Sequence, residues 1–498
     1  MSRVVVVGGG LGGLAAAARL AAGGHQVTVC EQAPVLGGKV GRHVVETSYG
    51  SFRFDTGPSL LTMPHVLEDL FHDTGAPLET VLDLVGLDPI AQVRFADGAT
   101  VDTCGDHEVL CRRLGEALGG TAAQDWDDLW QRAGRIWAAT SGPFLHAPVS
   151  AGSLAGQLVH VRDLATIAPW STLRRLGLRY LRDLRLRMLL ERYATYTGSD
   201  PRRAPAALAA VPYAELAFGG WQVRGGLGRI VDALAQRCRD LGADLRTQAE
   251  VTGIDRAGAR PGAPVTGVTL AGGERLTADI VVANADATHL YADLVPVARE
   301  ARRLRRSTPS LSGLVLLLGV RGRTPGLAQH TVLFPADYDA EFDAVFGNPA
   351  RPPDDPTLYL SVDGDAESCP AGYERWFVLV NAPRQGSGAG AIDWTTPGRA
   401  EAYAQHLLGL LARRGLDVRD RLLFMHVRTP ADLERDTRAV GGAIYGTSSN
   451  GARAAFLRPA NRSPVPGLFL VGGSAHPGGG LPLVMLSAQI VAGLIGPA

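Results

Sequence analysis

The sequence predicts an α/β fold: a domain built on a βαβ unit, interleaved with a second, α+β domain. Three observations predict it. The chain opens on a β-branched run, Val4 to Val7, that breaks into Gly8-Gly9-Gly10-Leu11-Gly12-Gly13 ahead of an Ala-rich helical stretch. It closes in the same way, with Gly467 to Val471 breaking into Gly472-Gly473 ahead of a helical stretch from Leu483 to Ile495. At 498 residues it exceeds what one simple core accommodates, so the segments between the two glycine turns must supply a further domain.

The first unit carries the most chemistry. Val4 to Val7 read as a strand buried on both faces. Leu14 to Ala22 form the helix, Gly23-Gly24 end it, and His25 to Cys30 make a second strand that delivers Glu31. Gly8 permits the tight turn, Gly10 lets the backbone approach a pyrophosphate, and Gly13 lets helix and strand pack closely. Leu11 and Gly12 complete the turn, and the helix N-terminus offers unpaired N–H groups to phosphate. Glu31 stands 18 residues past Gly13, where a carboxylate accepts from ribose hydroxyls. GxGxxG alone also fits a glycine turn that binds nothing. Strand, helix and acid in register make this a Rossmann-type dinucleotide site.

The residues beyond Glu31 point to FAD rather than NAD. Gly37-Gly38-Lys39, with Arg42 just past it, is a second glycine turn bearing a cation, suited to a cofactor that runs on past its pyrophosphate. Phe52-Arg53-Phe54-Asp55-Thr56-Gly57-Pro58-Ser59 is a strand ending in a Gly-Pro turn. Near the C-terminus, Gly472-Gly473-Ser474-Ala475-His476-Pro477-Gly478-Gly479-Gly480-Leu481-Pro482 leads into the last helix, with Pro482 in its tolerated first turn.

Over nearly its whole length the chain resembles the bacterial phytoene-desaturase-type carotenoid oxidoreductases, within the FAD-dependent amine-oxidase-like superfamily. The resemblance rests on Gly8 to Glu31, Gly37 to Lys39, Phe54 to Pro58, Val223-Arg224-Gly225-Gly226-Leu227-Gly228, and Leu457-Arg458-Pro459 leading to Gly472 through Pro482. It implies a glutathione-reductase-like FAD domain, a noncovalent FAD, a long apolar polyene substrate and a membrane-surface location. It implies further that Gly472, Gly473, Leu481, Pro482 and Leu483 border the flavin, that Val251 passes beside the adenine, and that the loops Asn284 to Ala287 and Gly441 to Gly446 approach the cofactor. Relatives often carry Arg after the second glycine pair. Here it is Lys39, the only lysine in the chain, a point charge rather than a fork.

In order, residues 1–75, 205–300 and 460–498 are expected to build the FAD domain, and 76–204 with 301–459 the substrate domain. Gln92 to Ala99 reads as a hairpin closed by Asp97-Gly98 and as part of a substrate-domain sheet. Asp106 to Ala139 is helical in pattern, and its stripe of Trp126, Leu129, Trp130, Ala133 and Trp137 reads as packed core. Residues 150–200 are expected to be helical and membrane-facing: over 173–192, Leu173, Leu176, Tyr180, Leu181, Leu184, Met188 and Leu189 share a face while arginines crowd the rest. An ordinary surface helix with solvated arginines shows the same pattern. By resemblance, Tyr193 and Tyr196 face the substrate cavity.

Composition narrows the function. A net charge of +0 argues against nucleic acid as partner. Five scattered cysteines give neither a zinc site nor a disulfide framework and fit a reducing cytosol. The glycine turn starts too close to Met1 for a signal peptide, and no apolar run is long enough to span a bilayer. The location expected is cytoplasmic, peripheral on the inner face of the cell membrane; the oligomeric state stays open.

No GxSxG elbow, HExxH or metal cluster is visible. His476 is the one candidate base, in a position that equally suits loop architecture beside the flavin. The expected reaction is desaturation of an acyclic carotenoid, phytoene or a hydroxylated or methoxylated carotene, by hydride loss to flavin N5 and loss of a proton. Two alternatives stand beside it: a tailoring or amine-oxidase-like oxidase of a smaller soluble substrate, and a non-catalytic prenyl-binding protein.

Overall fold

The computed structural model describes residues 1–149, 165–258, 260, 262–451, 454 and 458–498. Its first layer is a five-stranded sheet in the order Asp244–Arg246, Gln26–Cys30, Arg3–Val7, Ile280–Ala283, Leu468–Leu470, with every pair parallel. The first and last strands of the chain are therefore separated by a single strand.

Side-chain alternation divides this sheet between two cores. Val4, Val6, Val27, Val29, Val282 and Phe469 pack under the helices Leu11–Ala22, Gly228–Asp240 and Leu481–Ile495. Val5, Val7, Cys30, Val281, Leu468 and Leu470 pack on the opposite side against the antiparallel meander Val251–Arg256, Val265–Leu270, Arg275–Thr277. Two of the sequence motifs, Phe54 to Pro58 and Val223 to Gly228, meet here. Asp55 accepts from the N–H groups of Leu227 (2.8 Å) and Gly228 (3.0 Å), which caps the helix that follows the Gly225-Gly226 turn.

The second layer is a seven-stranded sheet in the order Leu422–Arg428, Ser312–Arg321, Tyr373–Ala382, Leu358–Asp363, His330–Leu333, Ala91–Arg94, Thr100–Thr103. All its pairs are antiparallel except His330–Leu333 with Ala91–Arg94. The expected hairpin at Gln92 to Ala99 is thus present and joins strands more than two hundred residues away. Leu314, Leu316, Leu318 and Val320 face the helix Arg399–Arg413, while Val315 and Leu317 face the hairpin Arg42–Thr47/Gly50–Asp55 through Phe52 and Phe54.

Three expectations need correction. The helical pattern from Asp106 to Ala139 is two helices, His107–Leu118 and Ala122–Thr140, because Gly119 and Gly120 both adopt positive φ. The stretch 173–192 is likewise two helices, Leu173–Tyr180 and Leu184–Arg192, the second capped by the Asp183 side chain. Its arginines are mostly not a free basic face: Arg174 pairs with Glu191 and Asp339, Arg182 with Asp125, and Arg185 with Asp97 and Asp183. Arg175, Leu178 and Arg179 do remain exposed. Residues 150–164 of the same expectation, and Leu457, lie outside the described residues. Third, the tryptophan stripe is core only in part. Trp126 is buried, Trp130 stacks on His107, and Trp137 reaches a cavity. Among the described residues no helix is long and apolar enough to cross a membrane.

Candidate active site

The glycine turn, the acid and the second glycine turn close on one another at the carboxyl end of the first strand. Gly8 N–H donates to Cys30 O (2.8 Å) and Gly37 N–H to Gly9 O (2.9 Å), so the Gly37-Gly38 turn lies along the first turn. Glu31 is buried; its Oε2 accepts from Gly9 N–H (2.7 Å) and its Oε1 from Ala33 N–H (2.9 Å). Each oxygen keeps a further lone pair, which is where ribose hydroxyls would donate. Beyond Glu31 the chain pairs with the segment entering the meander: Ala249 N–H donates to Glu31 O and Gln248 N–H to Ala33 O, just ahead of the strand that Val251 opens. The helix Leu11–Ala22 starts at Gly10 without a side-chain cap, so its first N–H groups are left for an anion.

Asn284, at the end of Ile280–Ala283, is the residue around which these glycines gather. A Cβ on Gly10 would stand 2.9 Å from its Nδ2, on Gly12 2.9 Å from its Oδ1, and on Gly472 2.3 Å from the same oxygen. A Cβ on Gly12 would also lie 3.1 Å from Gly472 Cα, so the two terminal glycine loops touch directly. On Gly13 it would lie 2.1 Å from Gly8 O, closer than any side chain can sit. Gly57 is as constrained by backbone as Gly13: its Cβ would meet Lys39 O at 1.9 Å.

Two cations are covered beside these loops and, among the described residues, donate to backbone carbonyls. Lys39 Nζ donates to Ala443 O (2.9 Å) and Ile444 O (2.7 Å), and burial lowers its pKa to about 8 against the opposing pull of Asp286. The loop at Gly441 to Gly446 thus takes two of the three Lys39 N–H donors and leaves one. Arg458 donates to Tyr445 O, Thr447 O and Gly473 O, tying that loop to the C-terminal one, and burial lowers its pKa to about 10.

His476 is 1% exposed and is absent from the cavity wall. Its Nε2 bonds Ala147 O (3.0 Å), Phe144 stands edge-on to the ring, and burial lowers its pKa to about 4. Its carbonyl accepts from Asn461 Nδ2 and Ser487 Oγ. Those contacts make His476 a pin of the loop rather than a group presented to substrate.

A cavity of about 810 Å³ opens from these loops, at the upper end of small-molecule sites. Gly57, Pro58 and Ser59 border it, with Gly478 to Leu483 at the start of the last helix. Gly8 to Gly13 and Glu31 lie behind this border, outside the wall itself. The cavity runs between the seven-stranded sheet (Tyr359, Phe377, Leu379) and the helices Ala122–Thr140 and Ala210–Phe218. Most of its lining is aliphatic or aromatic, Trp137, Phe144, Leu145, Ile167, Leu208 and Val211 among it.

The chain matches the family described as flavin containing amine oxidoreductase over residues 11–496. It is 34% identical to a 4,4'-diapolycopene oxygenase of Methylomonas sp. over 98% of this chain and 97% of that one. It is 31% identical to a 1-hydroxycarotenoid 3,4-desaturase of Flavobacterium sp. (99% of each chain), and 34% identical to the hydroxyneurosporene desaturase of Cereibacter sphaeroides (98% and 96%). The chain belongs to the flavin-containing amine oxidoreductase family. Within it, these relatives place the flavoenzyme among the carotenoid oxidoreductases, as an oxidoreductase acting on CH–CH bonds. A putrescine oxidase structure shares the fold of this flavoenzyme at TM-score 0.65 and 16% identity, over 99% of this chain and 98% of that one.

The residues present fit a flavin dinucleotide on structural grounds: side-chain-free glycines form the cradle, a buried acid is oriented at its edge, and two covered cations lack carboxylate ion-pair partners among the described residues. Sequence reasoning missed part of the flavoenzyme's cavity. Behind the cavity, Asn284 was expected near the cofactor through the resemblance alone, with no sign that glycines of both terminal loops gather on its side chain. Glu215 carried a signal, a lone acid in the apolar helix Ala210–Phe218. His330 and Tyr359 sit in ordinary strand patterns and carried none.

Proposed function

We propose that the protein is an FAD-dependent desaturase of an acyclic carotenoid, with FAD held noncovalently by Gly8, Gly10 to Gly13, Glu31, Gly37 to Lys39, Gly57 to Ser59, Val251, and the loop from Gly472 to Leu483. The observation that carries this reading is an apolar cavity bordered by Gly57 to Ser59 and by Gly478 to Leu483 of the C-terminal glycine loop, whose Gly472 packs against Gly12 of the first loop. FAD, when bound, supplies the hydride acceptor. The chain's own residues do the rest. The glycine turns and the free N–H groups of Leu11–Ala22 bind phosphate, and Glu31 orients the ribose. The aliphatic walls exclude water and hold an extended polyene in line, so positive charge developing on the substrate is delocalised rather than met by a solvated base. The N-terminal end of Leu481–Ile495 and the Lys39 and Arg458 cations favour negative charge beside the loops.

Residues 1–75 and 460–498 are assigned to the FAD domain, whose return after the first substrate segment comes beyond Gly219 rather than at 205. Ala206, Ala209 and Leu216 support this placement, since they pack in the helical core of the substrate domain. Substrate is proposed to arrive from a membrane surface through Trp170 and Leu178, 66% and 57% exposed beside Arg175 and Arg179. The test is reconstitution with FAD and liposomes carrying acyclic carotenes. A red-shifted spectrum and a product lacking two hydrogens support the reading; added oxygen would move the protein to the oxygenases, and unchanged spectra for every carotene tried would overturn it.

A further inference from the structure

The apolar cavity has a polar wall that the desaturation chemistry does not use. Arg192 ends the helix Leu184–Arg192 and lines the cavity; its Nη1 donates to the Tyr196 hydroxyl (2.9 Å), and its guanidinium lies over the rings of Tyr196 (5.1 Å) and Tyr359 (5.8 Å). Glu215, 5% exposed, lines the same cavity from the helix Ala210–Phe218. Its Oε1 accepts from the Tyr193 hydroxyl (2.8 Å), and its Oε2 has no partner among the described residues. Arg192 and Glu215 do not close into an ion pair. The Tyr359 hydroxyl bonds His330 Nδ1 at 2.9 Å, which extends the polar surface along the sheet.

A buried carboxylate oxygen left without a hydrogen bond is costly, and the Arg192 guanidinium, which gives one N–H to Tyr196, puts the opposite charge on the same wall. The two have opposite charges, so an ionised ligand would satisfy one and be repelled by the other. An ammonium would meet Arg192, and a carboxylate would meet Glu215. A neutral hydroxyl satisfies both, donating to Glu215 Oε2 and accepting from Arg192. A pure hydrocarbon satisfies neither.

We propose that Arg192, Tyr196 and Glu215 form a subsite for a hydroxyl-bearing end of the polyene, so that the preferred substrate is a hydroxylated acyclic carotene and the subsite sets which bond of the chain reaches the flavin. This rests on the carotenoid reading above and specifies its substrate. The three side chains are specificity residues with no share in the bond-breaking step.

The test compares two acyclic carotenes of equal length, one with a terminal tertiary hydroxyl and one without, on the flavin-loaded protein. Binding is read by quenching of protein fluorescence, turnover by absorption. The wild type is expected to bind the hydroxylated carotene about tenfold more tightly, the scale of one charge-assisted hydrogen bond. In Glu215→Gln and Tyr196→Phe that preference should fall toward one, with the change in KM rather than kcat. Tyr196→Phe carries the comparison alone if Glu215→Gln does not fold with its flavin. Equal binding of the two carotenes by the wild type, or a preference retained in both variants, would overturn the proposal, as would a kcat loss of equal size on both substrates. A protein that discriminates in binding yet oxidises neither carotene would keep the subsite and remove the desaturase reading.

Discussion

The Glu31 carboxylate accepts from the Gly9 N–H at 2.7 Å, so the acid that ends the second strand holds the glycine turn that follows the first. The same side chain also accepts from Ala33 N–H. It therefore shapes the turn as well as meeting a ribose. Glu31→Ala leaves two backbone donors unmatched in a buried place and removes the ribose acceptor. We expect flavin affinity to fall by about 1–3 kcal/mol, the scale of a lost buried polar contact, measured by flavin fluorescence on titration of the apoprotein. Affinity within error of wild type would show that Glu31 serves the turn alone.

The glycines rank by what stands in the way of a Cβ. At Gly13 the obstacle is the Gly8 carbonyl at 2.1 Å, which cannot swing aside, whereas at Gly9 it is the Leu36 Cδ2 methyl at 2.5 Å, on a half-buried side chain that can. Gly13→Ala is expected to destabilise the protein by about 1–3 kcal/mol and to lose its colour, and Gly9→Ala to retain both fold and flavin. Gly10→Val should abolish flavin binding through the pyrophosphate position, and a yellow Gly10→Val protein would refute the site. Thermal melts and the visible spectrum read all three.

These contrasts show which features the sequence could express. The two glycine turns, Glu31 and the hairpin after Ala91 were legible because each is a local pattern in which one side chain, or its absence, fixes one backbone geometry. That Asp55 caps the helix after Gly226 was not legible, because 172 residues separate Asp55 from Leu227. The break at Leu181 to Asp183 was hidden by an apolar spacing that runs through it, although Asp183 is itself a cap residue. The polar wall of the cavity draws one or two residues from each of several elements, so no window of sequence contains it.

The surface beside Leu173–Tyr180 makes a separate prediction. Trp170 and Leu178 are exposed apolar side chains with Arg175 and Arg179 as neighbours. Trp170→Asp with Leu178→Asp removes the apolar part of that patch and touches no core. Partition onto vesicles containing phosphatidylglycerol should weaken about tenfold or more, since each side chain contributes on the order of 1.5–3 kcal/mol on burial. The residual binding should fall further with salt, through the two arginines. Sedimentation with vesicles checks both, and unaltered partition of the double variant would place the membrane contact elsewhere.

His476 gives the protein a defined sensitivity to acid. Burial lowers its pKa from 6.5 to about 4 in the folded protein, while the unfolded chain keeps the ordinary value. Below about 6.5 the unfolded state therefore takes up a proton that the folded state refuses, and stability drops steadily until the pH reaches about 4, where both forms are protonated. The full loss from this one residue is about 3 kcal/mol, at 1.36 kcal/mol for each pH unit of the interval. Above 6.5 neither state is protonated, and the residue contributes no pH dependence. His476→Gln keeps an amide donor for Ala147 O but cannot titrate. Its melting temperature should decline less steeply than that of the wild type between pH 6.5 and 4, and the two curves should run parallel from pH 7 to 8. His330, also lowered to about 4 by burial, titrates over the same interval in both proteins and cancels from the difference. Identical slopes in the acid interval would mean that His476 is protonated in the folded protein after all, and the loop it pins would then carry a buried positive charge next to Arg458.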